Sequence, residues 1–157
     1  MNDNLKMRQV TLEDKELLFL WANDPEVRHQ AISQKNITID EHSKWIYQRL
    51  NDPNTRMWIL ENDGIPVGQI RWELNGMEGK LDYSISDAFR GKGFGKVILK
   101  RGIEEVRKIW AGVYLIAEVR EKNIASIKAI TAAGFKESNS IKSGYLFYKF
   151  ELKKNLT

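Results

Sequence analysis

Phe89-Arg90-Gly91-Lys92-Gly93-Phe94-Gly95-Lys96 puts three glycines and three cations into eight residues, between a strand-like run and a run with helical spacing. That position matters more than the glycines themselves. The first N–H groups of a helix have no intrahelical partners and lie at the positive end of the macrodipole. Glycines let a phosphate come close to the backbone, so a glycine-rich turn opening a helix is an anion cradle. Arg90, Lys92 and Lys96 add charge around it. A glycine-rich stretch also serves plain tight turns, so the flanking elements have to carry the reading. The Gly-Lys-Ser/Thr ending of a P-loop is missing, and the glycine spacing is not that of a dinucleotide fingerprint.

Working outward, Ile98, Leu99, Gly102, Ile103, Val106, Ile109 and Trp110 recur at helical steps after Gly95, and Tyr114 to Val119 reads as a strand. Lys80 to Ser86, the helix and this strand form a crossover unit, which makes the two strands parallel neighbours. Upstream, Met57 to Glu61, Ile65 to Leu74 and Lys80 to Ser86 are separated by Asn62-Asp63-Gly64 and Asn75-Gly76, the pattern of an antiparallel meander. A strand from Leu5 to Val10 precedes a helix starting at Thr11 and Asp14, with Leu17, Leu18, Leu20 and Trp21 on its apolar side before Pro25. Thr38 and Glu41 have capping-box spacing for a second helix carrying Ile39, His42, Trp45, Ile46 and Leu50. A last helix from Asn123 to Ala133 stops at Gly134, and strands around Phe135 to Ser138 and Tyr145 to Leu152 complete the order β-α-α-β-β-β-α-β-α-β-β.

The 157 residues have the length of one domain, and no linker or repeat divides residues 1–157. Hydrophobic residues at 42% and charged residues at 29% are the balance of a packed globular chain. The absence of cysteine excludes thiol nucleophiles, disulfides and thiolate metal sites. His29 and His42 are the only histidines and no carboxylate spacing completes a ligand set, so no metal is expected. No run approaches the roughly 20 apolar residues of a membrane span and the start lacks a signal-peptide core, so a cytoplasmic protein with no membrane partner is expected. A net charge of +4 fits nucleic acid or a phosphorylated small ligand. The cations are scattered among 21 acidic residues and the aromatics do not interleave with them, which argues against nucleic acid.

R-G-K-G-F-G after a strand resembles the Arg/Gln-x-x-Gly-x-Gly/Ala motif of the GNAT N-acetyltransferases. Ala117-Glu118-Val119-Arg120-Glu121-Lys122-Asn123 with Ala133-Gly134-Phe135 resembles the second half-motif of that family, and the strand order agrees from about residue 5 to 152. The resemblance implies an α/β GNAT fold: a mixed, mostly antiparallel sheet of six to seven strands, helices on both faces, and fourth and fifth strands that are parallel and splayed. It implies acetyl-CoA as co-substrate, its pyrophosphate held by Arg90, Gly91, Lys92, Gly93, Phe94, Gly95 and Lys96. It also implies backbone pairing of the strand end Tyr83 to Ser86, Ile85 and Ser86 first, with the pantetheine arm, and Asn123 and Lys128 beside the coenzyme. Asn123 reads equally as a helix cap.

Direct transfer to an amine with a pKa of roughly 10 needs a base or a water relay, and the departing thiolate needs a donor. Glu118, a charge inside an apolar strand, is the first candidate base, with Glu73 and Asp82 as alternatives. Many relatives carry a tyrosine acid seven residues after the asparagine, but that position is Ile130 here. Ser126 resembles the N-x-x-S variant and could donate instead, or act as an ordinary helix serine. His42 is either a packed histidine or part of the site. Residues 23–28 and 40–45 resemble the N-terminal part of GNAT enzymes that acetylate aminodeoxysugar nucleotides, which makes Trp21, Arg28, His42 and Trp45 candidate acceptor contacts, with Trp72 as a core aromatic. The expected reaction is acetyl transfer in a ternary complex to a nucleotide-linked amino sugar. The alternatives are a protein N-terminal amine, as in the enzymes that modify ribosomal proteins, and an acyl-CoA-binding module without turnover. A homodimer is compatible with the family.

Overall fold

The structure, a computed structural model, describes residues 4–31, 33–139 and 142–153. Strand β1 (Leu5–Gln9) leads through a 3-10 turn into α1 (Lys15–Ala22), α2 (Pro25–Gln30) and α3 (Ile39–Leu50). The meander follows as β2 (Thr55–Asn62), β3 (Ile65–Asn75) and β4 (Glu78–Ile85). A second 3-10 turn precedes α4 (Phe94–Arg107), and β5 (Val113–Arg120), α5 (Ile124–Ala132), β6 (Lys136–Ser138) and β7 (Tyr145–Leu152) complete the order. Seven strands form one sheet in the order β1-β2-β3-β4-β5-β7-β6. Among the described residues, β4 and β5 pair in parallel and the other neighbours are antiparallel.

Two local features differ from the sequence expectation. Pro25 opens a helix instead of only ending one: Asp24 Oδ1 accepts from the N–H groups of Glu26 and Val27 at 3.0 and 3.3 Å. Proline at the first helical position gives up an N–H that would have been unpaired anyway, so Asp24-Pro25 is a start signal. At the other end, α4 stops at Arg107, short of Ile109 and Trp110. The Trp110 N–H still bonds Val106 O at 2.8 Å, and the indole packs in the core beneath β4.

The sheet has a core on each face. Val10, Leu18, Ile46, Met57 and Ile59 are packed under α1 and α3. The larger core joins β2–β5 to α4 and α5 through residues such as Ile70, Trp72, Ile98, Leu99, Leu115 and Ile130. Each such side chain contributes about 1.5–3 kcal/mol when fully buried. Gly102 lets α4 seat closely on β3, because a Cβ there would collide with the Ile70 side chain. That seating fixes where the helix begins, and hence where its free N–H groups point.

One irregularity positions the site. β4 and β5 pair only from Glu78/Tyr114 to Lys80/Ile116. Beyond that, residues 81–85 of β4 pair with β3 alone and residues 117–120 of β5 with β7 alone. The sheet is therefore open along one line, and the expected splay of the two parallel strands is present.

Candidate active site

A cleft of about 760 Å³ runs through this opening and reaches both faces of the sheet. On the α4/α5 face it is walled by the glycine loop, Tyr83, Ile85, Asn123 and Ser126. On the α1–α3 face it is walled by Trp21, Arg28, His42, Trp45, Asp82 and Glu118.

Gly91 and Gly93 have φ of 74° and 86°, left-handed values that favour glycine. Gly93 occupies the position before α4 and no side chain caps the helix, so its first-turn N–H groups are left for a ligand. Gly91, Gly93, Phe94, Gly95 and Lys96 all line the cleft, and Lys96 forms no ion pair among the described residues. Lys92 is not a wall residue; its ammonium sits 5.7 Å from the centre of the Phe89 ring.

Arg90 also lines the cleft, but its guanidinium is already engaged. It donates to Ile85 O at 3.0 Å and Asp24 Oδ1 at 2.9 Å, and approaches Asp87 at 3.3 Å. Burial works against ionisation of Asp24, yet the Arg90 bond and the two helix N–H groups outweigh it and hold its carboxyl below the usual range. Arg90 thus ties the glycine loop to the start of α2. Of the two expected pantetheine residues, Ile85 walls the cleft, whereas the Ser86 N–H is bonded to Val67 O at 2.8 Å and Ser86 is not in the wall. Lys128 is likewise outside it.

Asn123 caps α5, its Oδ1 accepting from the Ser126 N–H at 3.2 Å, and it also lines the cleft. The Ser126 hydroxyl lies 2.9 Å from the Tyr83 hydroxyl, and Ile130 is buried beneath them in the core. Burial raises the Tyr83 phenol above its ordinary pKa, against a smaller lowering by the Ser126 bond. The resemblance places Tyr83 beside the pantetheine arm through its backbone alone and assigns nothing to its hydroxyl. Tyr83 lies 43 residues from Ser126, and only the strand–helix packing brings the two together.

Across the sheet, His42 is 3% exposed between the rings of Phe19 and Trp45, each 5.6 Å away. Burial lowers its pKa, so the imidazole is neutral at physiological pH. Glu118, with its side chain 9% exposed, is held between Lys80 Nζ at 3.4 Å and Lys142 Nζ at 3.2 Å. Asp82 accepts from Gln69 Nε2 at 3.0 Å and meets Arg71 at 3.5 Å, while the Arg71 guanidinium stacks 4.8 Å from Trp45. Glu73 pairs with Arg71 outside the cleft wall, and Trp72 is fully buried. Arg28 is anchored on three carbonyls, those of Ala22, Ser33 and Lys35, at 2.6, 3.1 and 3.2 Å. Arg120, not singled out from sequence, donates to Ala31 O at 2.7 Å just after α2.

A mixed sheet that parts between two parallel strands, beside a glycine loop opening a helix, is the arrangement that the family resemblance implies. Residues 4–136 match the acetyltransferase (GNAT) domain family, and the chain belongs to that family. An uncharacterized protein of Methanocaldococcus jannaschii is 28% identical over 152 residues, which cover 93% of this chain and 31% of that protein. The chain thus spans about a third of the length of this curated relative. Spermidine N-acetyltransferase from Vibrio cholerae, solved with CoA and spermine, superposes with a TM-score of 0.84 at 16% identity over 98% of both chains. A putative acetyltransferase from Salmonella typhimurium, solved with acetyl-CoA, gives 0.78 at 18% identity over 99% of this chain and 98% of its own. Among the described residues no helix is long and apolar enough to cross a membrane, and no group of His, Asp and Glu side chains could hold a metal ion.

Proposed function

We propose that this chain transfers the acetyl group of acetyl-CoA to the primary amine of a nucleotide-linked amino sugar, by direct attack in a ternary complex. The observation that carries the reading is the cleft itself, which joins an anion cradle on one face of the parted strands to an aromatic and arginine-lined pocket on the other. The first-turn N–H groups of α4 with Lys96 suit the coenzyme's pyrophosphate. The strand edges at residues 81–85 and 117–120, unpaired with each other, suit the amide groups of the pantetheine arm.

Charge on part of the cleft wall supports this acceptor class. Arg28 and Arg120 line the pocket, are oriented by backbone carbonyls, and have no carboxylate partner among the described residues. Two oriented, uncompensated guanidiniums beside Trp21 and Trp45 suit a phosphate and a flat base. Glu118 is the group we assign to the amine's proton, with Lys80 and Lys142 holding the carboxylate in place. His42 shapes the wall as a neutral ring.

The test is a thiol-release screen with acetyl-CoA against amino-sugar nucleotides, peptides with free N-termini, aminoglycosides and polyamines. Turnover should be highest with amino-sugar nucleotides. Preference for a peptide or a polycation would overturn the acceptor assignment, and acetyl-CoA binding without turnover on any amine would favour a non-catalytic binding module.

A further inference from the structure

Tyr83 and Ser126 form a hydroxyl pair on the α4/α5 side of the opening, of which the sequence motifs single out only Ser126. Tyr83 stands opposite Ile70 in the β3–β4 register, and Ile70 belongs to the core shared with α4 and α5. Its ring therefore points to the helix face that carries the glycine loop. A methyl group on Gly95 would lie 3.9 Å from Tyr83 Cε2, so the ring is one layer from the anion cradle. The far end of the ring meets Ser126 Oγ at 2.9 Å, and both residues wall the cleft.

Two hydroxyls bonded to each other use one of their two protons between them, which leaves the second for another acceptor. Neither hydroxyl has another partner among the described residues. Ser126 lies in the first turn of α5, at the positive end of the helix dipole, which favours negative charge. A neutral phenol, a serine and a helix N-terminus therefore converge where an anion would be stabilised.

We infer that Tyr83, with Ser126 as its relay, donates a proton to the sulfur that departs in acetyl transfer. This rests on the acetyl-transfer reading above. As the amine's C–N bond forms and the C–S bond breaks, the electron pair left on sulfur takes the Tyr83 hydroxyl proton. Tyr83 is reprotonated through Ser126 from solvent, and the amine's own proton leaves to the base on the opposite face, so charge and protons balance. Burial keeps the phenol protonated well past neutral pH, as a donor requires.

The experiment compares wild type with Tyr83→Phe, Ser126→Ala and the double variant, measuring kcat, KM for acetyl-CoA, calorimetric affinity for acetyl-CoA and melting temperature. Tyr83→Phe should lower kcat about 100-fold, the lower range for loss of a general acid. Its acetyl-CoA affinity should stay within about twofold, a split that lost packing alone would not give. Ser126→Ala should lose less, and the double variant should be no worse than Tyr83→Phe, because the two act as one unit. Tyr83→Phe turning over within about threefold of wild type, or losing affinity in step with rate, would overturn the inference. If Tyr83→Phe does not fold at assay temperature, Ser126→Ala decides, since unchanged kcat there is equally fatal. A wild type that does not bind acetyl-CoA would instead defeat the acetyl-transfer reading.

Discussion

The two faces of the parted strands are built by different means. On the α4/α5 face the cradle is made of backbone: Gly91 and Gly93 in left-handed conformations, the free N–H groups of α4, and α5 capped by Asn123 three residues before Ser126. On the α1–α3 face the pocket is held by side chains that reach far along the sequence. Arg90 bonds Asp24 across 66 positions and Arg120 bonds Ala31 across 89. Local backbone chemistry makes the α4/α5 side nearly self-specifying, whereas the α1–α3 side exists only once the fold has brought distant arginines to α2.

This contrast predicts a hierarchy of mutational effects. Gly93→Asp places a carboxylate beside the first turn of α4, where its charge and bulk would repel a phosphate, at a position whose left-handed backbone favours glycine. Charge-assisted bonds contribute about 1.5–3 kcal/mol each, so calorimetry should show acetyl-CoA affinity falling at least about 100-fold, with the melting temperature lowered because an aspartate at this left-handed position is strained. Next in size, Arg28→Gln or Arg120→Leu should raise KM for the acceptor about tenfold, in line with loss of one charged hydrogen bond, and leave acetyl-CoA affinity unchanged. If either variant weakens acetyl-CoA as much as acceptor, the two faces are not separate sites.

Arg90→Gln probes the link between the faces. Arg90 bonds both Ile85 O and Asp24, so its loss should loosen α2 and weaken acceptor and coenzyme together, by about three- to tenfold in steady-state kinetics. An effect confined to acetyl-CoA would make Arg90 a plain phosphate ligand. The smallest effect concerns His42. Its folded pKa lies below the unfolded value near 6.5, so the unfolded chain binds the proton first and stability should fall as pH drops below about 6.5. Thermal melts from pH 7.5 to 5 should show that slope, and His42→Phe should flatten it.

The same contrast explains what could be read from the chain alone. The order of elements, the meander, the crossover unit and the loop at residues 90–96 follow from periodicity and turn chemistry, both local, whereas the place of β7 between β5 and β6 does not. The Thr38 cap on α3 and the Asn123 cap on α5 are also present. α2 is absent from the sequence expectation because a proline marks helix ends as well as starts, and only the Asp24 cap before Pro25 distinguishes the two. Arg90 looked like a phosphate contact because charge beside a glycine loop is a local cue, while its partner Asp24 lies far upstream. Tyr83 could not be distinguished from a core aromatic without knowing that α5 packs against its hydroxyl. Likewise, alternation in β5 shows that Glu118 lies on the face opposite Ala117 and Val119, but not that two lysines hold it.

The most direct test of the account is the electron density of acetyl-CoA in a crystal of the complex. The account predicts pyrophosphate on the N–H groups of residues 91–96, the pantetheine arm between residues 81–85 and 117–120, and the thioester sulfur beside the Tyr83 and Ser126 hydroxyls. Coenzyme bound elsewhere on the surface, with the opening between β4 and β5 left empty, would contradict it.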